Sequence, residues 1–146
     1  MTSAAEIERF LREQIPLTRA MGVRVESFGV DGLVLAAPLE PNHNHLGTAF
    51  GGSLAALATL AGYALVWLEL GDRGSHVVIR DSTIRYLRPV RGELRAVCSR
   101  PDATAIEEFK ARFSLEGKAR ITFGVVVVDS GEPAVEFEGT FVALAG

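Results

Sequence analysis

LGTAFGGSLAALATLAGYALVWL, residues 46–68, carries no charged side chain. Asn42-His43-Asn44-His45 leads into it, and Gly51-Gly52 stands where a helix should start. Strand-like sequence flanks it on both sides. A helix this apolar is stable in water only when other parts of a protein wrap it. Its glycine-rich start leaves backbone N–H groups bare, and an oxygen anion binds well there. The stretch is long enough to span a bilayer. Its Ala, Gly, Leu and Thr content favours burial against protein instead. So does the lack of a basic flank, since the next charges are Glu69, Asp72 and Arg73.

Outward from this helix, the chain reads as strands. Val23 to Phe28 alternates, Gly29 to Gly32 turns, and Leu33 to Ala37 forms a second strand before Pro38. The helix is expected to stop near Gly71. Val77 to Leu87 is a long strand closed by Arg88-Pro89, and Glu93 to Ser99 is another. Pro101 to Glu116 is ambiguous: PDATAIEEFK is helical or irregular, while ARFSLEG alternates and fits a strand. Lys118 to Val128 is a strand, 129–133 is a turn, and Val135 to Leu144 is the last strand. There Val135, Phe137 and Phe141 alternate with Glu136, Glu138 and Thr140, as on a half-buried antiparallel strand. At the start of the chain, Ile7, Phe10, Leu11 and Ile15 have helical spacing over about 4–19. Ser3 and Glu6 form a plausible cap pair.

The pattern predicts an α+β fold in one domain over 1–146, with a curved antiparallel sheet of five to six strands around a long central helix. The sheet covers one side of that helix. A second copy of the chain could cover the other and pair an exposed strand edge.

The 146 residues suit one core, and the 48% apolar content excludes disorder. A net charge of -3 argues against a dedicated nucleic-acid binder. The acidic N-terminal stretch is not a secretory signal. Cys98, the sole cysteine, has no internal disulfide partner and fits a strand as a small buried hydrophobe. A cytoplasmic location, with no membrane, is the expectation.

Asn44-His45-Leu46-Gly47-Thr48-Ala49-Phe50-Gly51-Gly52, the Ala-rich helix, and Asp81-Ser82-Thr83-Ile84-Arg85-Tyr86-Leu87-Arg88-Pro89 together resemble the hotdog-fold acyl-CoA thioesterases. The chain is most similar to the small bacterial YiiD C-terminal-like group. The resemblance covers nearly the whole chain and implies the hotdog fold. It also implies a homodimer or dimer of dimers, with sites at the subunit interface. Its substrates would be thioesters of coenzyme A or acyl carrier protein. In related enzymes the helix opens with His-Gly-Gly, whose second residue supplies an oxyanion N–H. Here the triplet is Phe50-Gly51-Gly52, so Gly51 inherits that role. Asn44 matches a polar residue that orients water or the carbonyl. Thr59, with Ala55 and Ala58, stands near the position of the usual helix Asp or Glu, and none is a carboxylate.

Thioester hydrolysis builds negative charge on the carbonyl oxygen. Backbone N–H groups at a helix start stabilise it, and glycine lets the ligand approach. Gly51 and Gly52 fit that task; close packing of a strand is the other explanation for them. His45 has the chemistry of a base, or it holds its loop. His43 reads as loop surface and His76 as structural. Asp81 either serves a site near Thr59 in the same or the partner subunit, or pairs with an arginine such as Arg80 or Arg85. Asn44 and Thr59 either position water or bond locally. Thr48, Phe50 and Gly52 are expected to line the substrate site. Arg88 and Arg91 could meet phosphates or an acidic carrier.

No dinucleotide or phosphate-loop motif occurs, and His43-x-His45 with Asp81 lacks the spacing of a metal site. No cofactor and no metal are expected. The sequence therefore predicts thioester hydrolysis. A non-catalytic acyl or carrier-protein binding module, or a hydratase or dehydratase on the same fold, is the alternative.

Overall fold

The computed structural model describes residues 3–71 and 74–146. Met1, Thr2, Asp72 and Arg73 lie outside the described residues. Among the described residues, four helices and six strands follow one another as α1 (Ala4–Gln14), α2 (Leu17–Met21), β1 (Arg24–Gly29), β2 (Gly32–Ala37), α3 (Gly51–Leu70), β3 (His76–Tyr86), β4 (Leu94–Ser99), α4 (Ala103–Glu116), β5 (Lys118–Asp129) and β6 (Glu132–Leu144). The strands form one antiparallel sheet in the order β1-β2-β4-β5-β6-β3.

The concave face of this sheet holds α3, which touches β2, β3, β4, β5 and β6. Strand alternation decides which side chains meet it. Ile121, Phe123, Val125 and Val127 of β5 are buried, while Thr122 and Gly124 between them and Arg120 just before them are exposed. Phe141 of β6 packs so closely on the helix that a Cβ on Gly62 would lie 2.4 Å from its ring. Ser130 and Gly131 both have positive φ, the conformation a two-residue hairpin requires, and they fold β5 back onto β6.

Two predicted elements differ from the structure. The N-terminal helix does not run through 4–19. It stops at Gln14, because Pro16 supplies no N–H to continue it, and α2 begins afresh at Leu17. Ser3 caps α1 by accepting from the Glu6 N–H at 3.2 Å. The second correction is ARFSLEG, which is not a strand but the end of α4. The Asp102 carboxylate caps that helix on the Ala105 N–H at 2.9 Å, and Gly117 closes it in a left-handed conformation. Ile106, Phe109 and Phe113 are its inward positions, at helical spacing. Leu115, whose alternation with Phe113 suggests a strand, is 85% exposed.

The sheet leaves the other side of α3 open, and α1 covers part of it. The Phe10 and Tyr63 rings meet Trp67 edge-on, each with centroids 4.0 Å away. This covers the C-terminal half of α3. Toward its N-terminal half, an apolar groove of about 470 Å³ remains between α2, α3 and β3, lined by Leu17, Ala56, Thr59, Tyr63 and Ile79 among others. β3 is an edge strand with a bulge between Ile79 and Asp81, and most of its side chains are exposed.

Candidate functional site

The start of α3 is built by the loop before it. Asn44 folds that loop with both ends of its amide. Its Oδ1 accepts from the N–H groups of Leu46 at 2.8 Å and Thr48 at 3.2 Å, and its Nδ2 donates to Thr48 Oγ1 at 2.9 Å. The Asn44 backbone N–H donates to the Thr48 carbonyl at 2.7 Å. Buried Asn42 ties the base of the loop down by donating to the carbonyls of Met21 and Pro38. The Phe50 N–H donates to the Asn42 carbonyl, and the Ala49 N–H to the carbonyl of Val90 behind the loop. The chain thus enters α3 at a fixed point and angle.

The helix itself opens without a side-chain cap. Phe50 is the N-cap, and its backbone carbonyl accepts from Leu54. Among the described residues, none accepts a hydrogen bond from the N–H of Gly51 or Gly52. Gly51 is half-buried and Gly52 exposed. Both amides point along the positive end of a twenty-residue helix dipole. Gly52, Ala56, Thr59 and Tyr63 follow one another at helical spacing, so the apolar groove begins about one turn below these amides.

The other predicted residues fall in three places. Phe50 and Thr48 lie at the helix start; the Phe50 ring is exposed, and Thr48 is committed to Asn44. His45 sits on the loop surface, and the His43 Nδ1 contacts the Asn44 carbonyl at 2.9 Å. Thr59 opens on the groove, but its hydroxyl donates to the Ala55 carbonyl at 2.8 Å, the local bond that hydroxyls on helices make. Asp81 does not join Thr59 of its own chain. It pairs with Thr140 on the outer sheet face, while its neighbour Ile79 pairs with inward Phe141. The Asp81 carboxylate lies 3.9 Å from Arg80 and is 73% exposed. His43, His45 and Asp81 do not gather; among the described residues no three potential metal-ligating side chains do.

Arg88 and Arg91 flank Val90, directly behind the loop. The Arg88 guanidinium pairs with Glu132, and the Arg91 backbone N–H donates to Asp129 at 3.0 Å. Arg80, Arg85 and Arg95 also have carboxylate partners, in Asp81, Glu136 and Glu26. Burial pushes the Cys98 thiol up to about 12, so it stays protonated inside the sheet and is no nucleophile.

Two residues of the site escape the sequence reading. Asn42 looks like any polar loop residue, and only its burial shows its tethering role. Tyr86 closes β3, and its hydroxyl donates to the Gly51 carbonyl at 3.2 Å across 35 residues of chain. The signal for Tyr86 is faint: a hydroxyl-bearing aromatic just before Leu87-Arg88-Pro89, where a strand ends.

Residues 4–145 match the model of a family described as putative thioesterase (yiiD_Cterm). A Chlorobaculum tepidum protein of unknown function is similar over 98% of this chain and 94% of its own, at 32% identity and a TM-score of 0.93. A putative thioesterase from Shewanella oneidensis shares 28% identity, with a TM-score of 0.82 and coverage of 97% and 96%. A probable thioesterase from Pseudomonas aeruginosa shares 27% identity, with a TM-score of 0.83 and coverage of 100% and 99%.

Proposed function

The chain belongs to the putative thioesterase (yiiD_Cterm) family and has the hotdog fold of its thioesterase neighbours, and on that premise we propose that it hydrolyses acyl thioesters at the start of α3. The observation that carries the reading is the pair of amides at Gly51 and Gly52, without a partner among the described residues and set one turn above an apolar groove. The carbonyl oxygen of the substrate accepts from the Gly51 N–H. The acyl chain lies along Ala56, Thr59 and Tyr63, with Phe50 at its mouth. As water attacks, the oxygen gains charge, and the amides together with the helix dipole hold it without rearranging. His45, six residues before Gly51, takes the proton of the attacking water, since its imidazole is basic whereas the Asn44 amide and the Thr59 hydroxyl are not. The thiol carried by coenzyme A or an acyl carrier protein leaves.

A second copy of the chain completes the site. β3 offers eleven residues along a free edge, and Val78, Ile79, Tyr86 and Leu87 are exposed on or just beyond it. Pairing of two such edges removes them from water and closes the groove from above. A binding module that holds a thioester without turning it over is the second reading. It is favoured by one observation: the groove face of α3 offers Thr59 where a carboxylate would serve as base.

Two substitutions at one position decide. Proline is well tolerated at the first residue of a helix, and Phe50 already has the extended backbone that proline requires before it. Gly51→Pro therefore removes the donor and keeps the helix. Loss of one oxyanion donor lowers kcat about 10²- to 10³-fold in enzymes of this kind of chemistry. Gly51→Ala keeps the N–H, and its Cβ would rest at 3.6 Å from Tyr86 in ordinary contact. With a panel of acyl-CoA and acyl-carrier thioesters, the proline variant is expected to lose turnover and the alanine variant to retain it. Equal activity in both sinks the oxyanion assignment. Binding with no hydrolysis by the unaltered chain favours the binding module.

A further inference from the structure

We propose that Tyr86 is a positioning residue that sets the peptide between Gly51 and Gly52 for oxyanion binding; this rests on the reading of that helix start as the site of thioester hydrolysis. The need for such a residue follows from the sequence. α1 and α4 each begin with a side-chain cap, from Ser3 and Asp102. α3 has none, and its first two residues are glycines, which lose the most backbone freedom on ordering. A helix start of this kind frays unless something outside the helix fastens it.

Tyr86 is placed to do so. Its hydroxyl donates to the Gly51 carbonyl at 3.2 Å, and its ring lies where a Cβ on Gly51 would be 3.6 Å from Cε1 and Cζ. Among the described residues, this is the side-chain hydrogen bond that reaches the first two peptides of α3. The Gly51 C=O and the Gly52 N–H belong to one planar peptide unit and point in opposite directions. Holding the oxygen therefore aims the N–H. A donor on the oxygen also polarises the unit and makes the N–H a stronger donor, as in any chain of hydrogen bonds. Phe50 lies against the second glycine, since a Cβ on Gly52 would lie 2.4 Å from its Cε2. Each glycine thus has one ring against it, and among the described residues none accepts from the Gly52 N–H. The strand that carries Tyr86 is the same edge strand that lines the groove, so the clamp joins the oxyanion amides to the acyl channel.

Tyr86→Phe keeps the ring and removes only the hydroxyl. With a thioester the unaltered chain hydrolyses, kcat is expected to fall about tenfold while KM stays within about twofold, because the contact acts on the transition state more than on the bound substrate. In parallel, the ¹H–¹⁵N resonance of Gly52 should shift and its amide exchange faster, while amides in the middle of α3 stay as they were. Unchanged kcat, a change confined to KM, or an unmoved Gly52 amide overturns the proposal. A chain that hydrolyses no thioester overturns the hydrolase reading instead, and the Gly52 amide still decides whether Tyr86 holds the peptide.

Discussion

Gly62 shows how a single atom fixes the distance between the helix and its sheet. It lies in the middle of α3, where alanine would ordinarily favour the helix by about 1 kcal/mol. Yet a Cβ there would meet the Phe141 ring at 2.4 Å, and Phe141 is fully buried. Gly62→Ala is therefore expected to destabilise the fold by about 1–3 kcal/mol, the cost of overpacking, despite its better helix propensity. Thermal unfolding monitored by circular dichroism checks this, and a raised melting temperature would show that the sheet can yield. At the same scale, Gly51-Gly52 was legible in the sequence as a helix start with bare amides. Tyr86 was not, because its partner is a backbone oxygen that no sequence pattern marks.

Between elements, long side chains bridge strands that do not touch. β1 and β4 flank β2, with Arg24, Ala36 and Arg95 in one row across the sheet. Over the small Ala36 side chain, Arg24 reaches Glu93 and Arg95 reaches Glu26. Hydrogen bonding from Arg95 holds the Glu26 carboxyl below its ordinary value, and that from Arg24 does the same for Glu93. A carboxylate held lower in the folded chain than in the unfolded one stabilises the fold above its unfolded pKa. That contribution fades as pH falls through the folded value. Both pairs face water, so each contributes at most about 1 kcal/mol. Glu26→Gln/Glu93→Gln is expected to lower stability at neutral pH and to flatten the loss seen below about pH 4. Urea unfolding at both pH values measures it; parallel pH curves for the two proteins would sink the idea. The element order and strand limits were legible to within a few residues, because alternation and turn residues agree. α4 was the exception: Phe113 and Leu115 suit a strand alone, and only the capping by Asp102 and the burial of Ile106 and Phe109 select the helix.

For the whole molecule, the proposed dimer brings a second copy onto the open edge of β3 and the groove beside it. Lysine on an edge strand is a natural guard against pairing. Ile79→Lys is therefore expected to halve the mass seen by sedimentation velocity while the chain remains folded. A chain that sediments as a monomer without the substitution removes the proposed dimer.

Local pattern alone established the central helix, the strands around it and the glycine pair at its start. These depend on spacing along the chain, which a sequence carries. Tertiary structure alone decided which groups face one another. It turned Asp81 outward, locked Asn44 into its loop, tied Arg88 to Glu132 and brought Tyr86 onto Gly51. Each of these depends on strand register and on the approach of residues far apart in the chain, and a one-residue slip in register would reverse the face of every side chain on the strand.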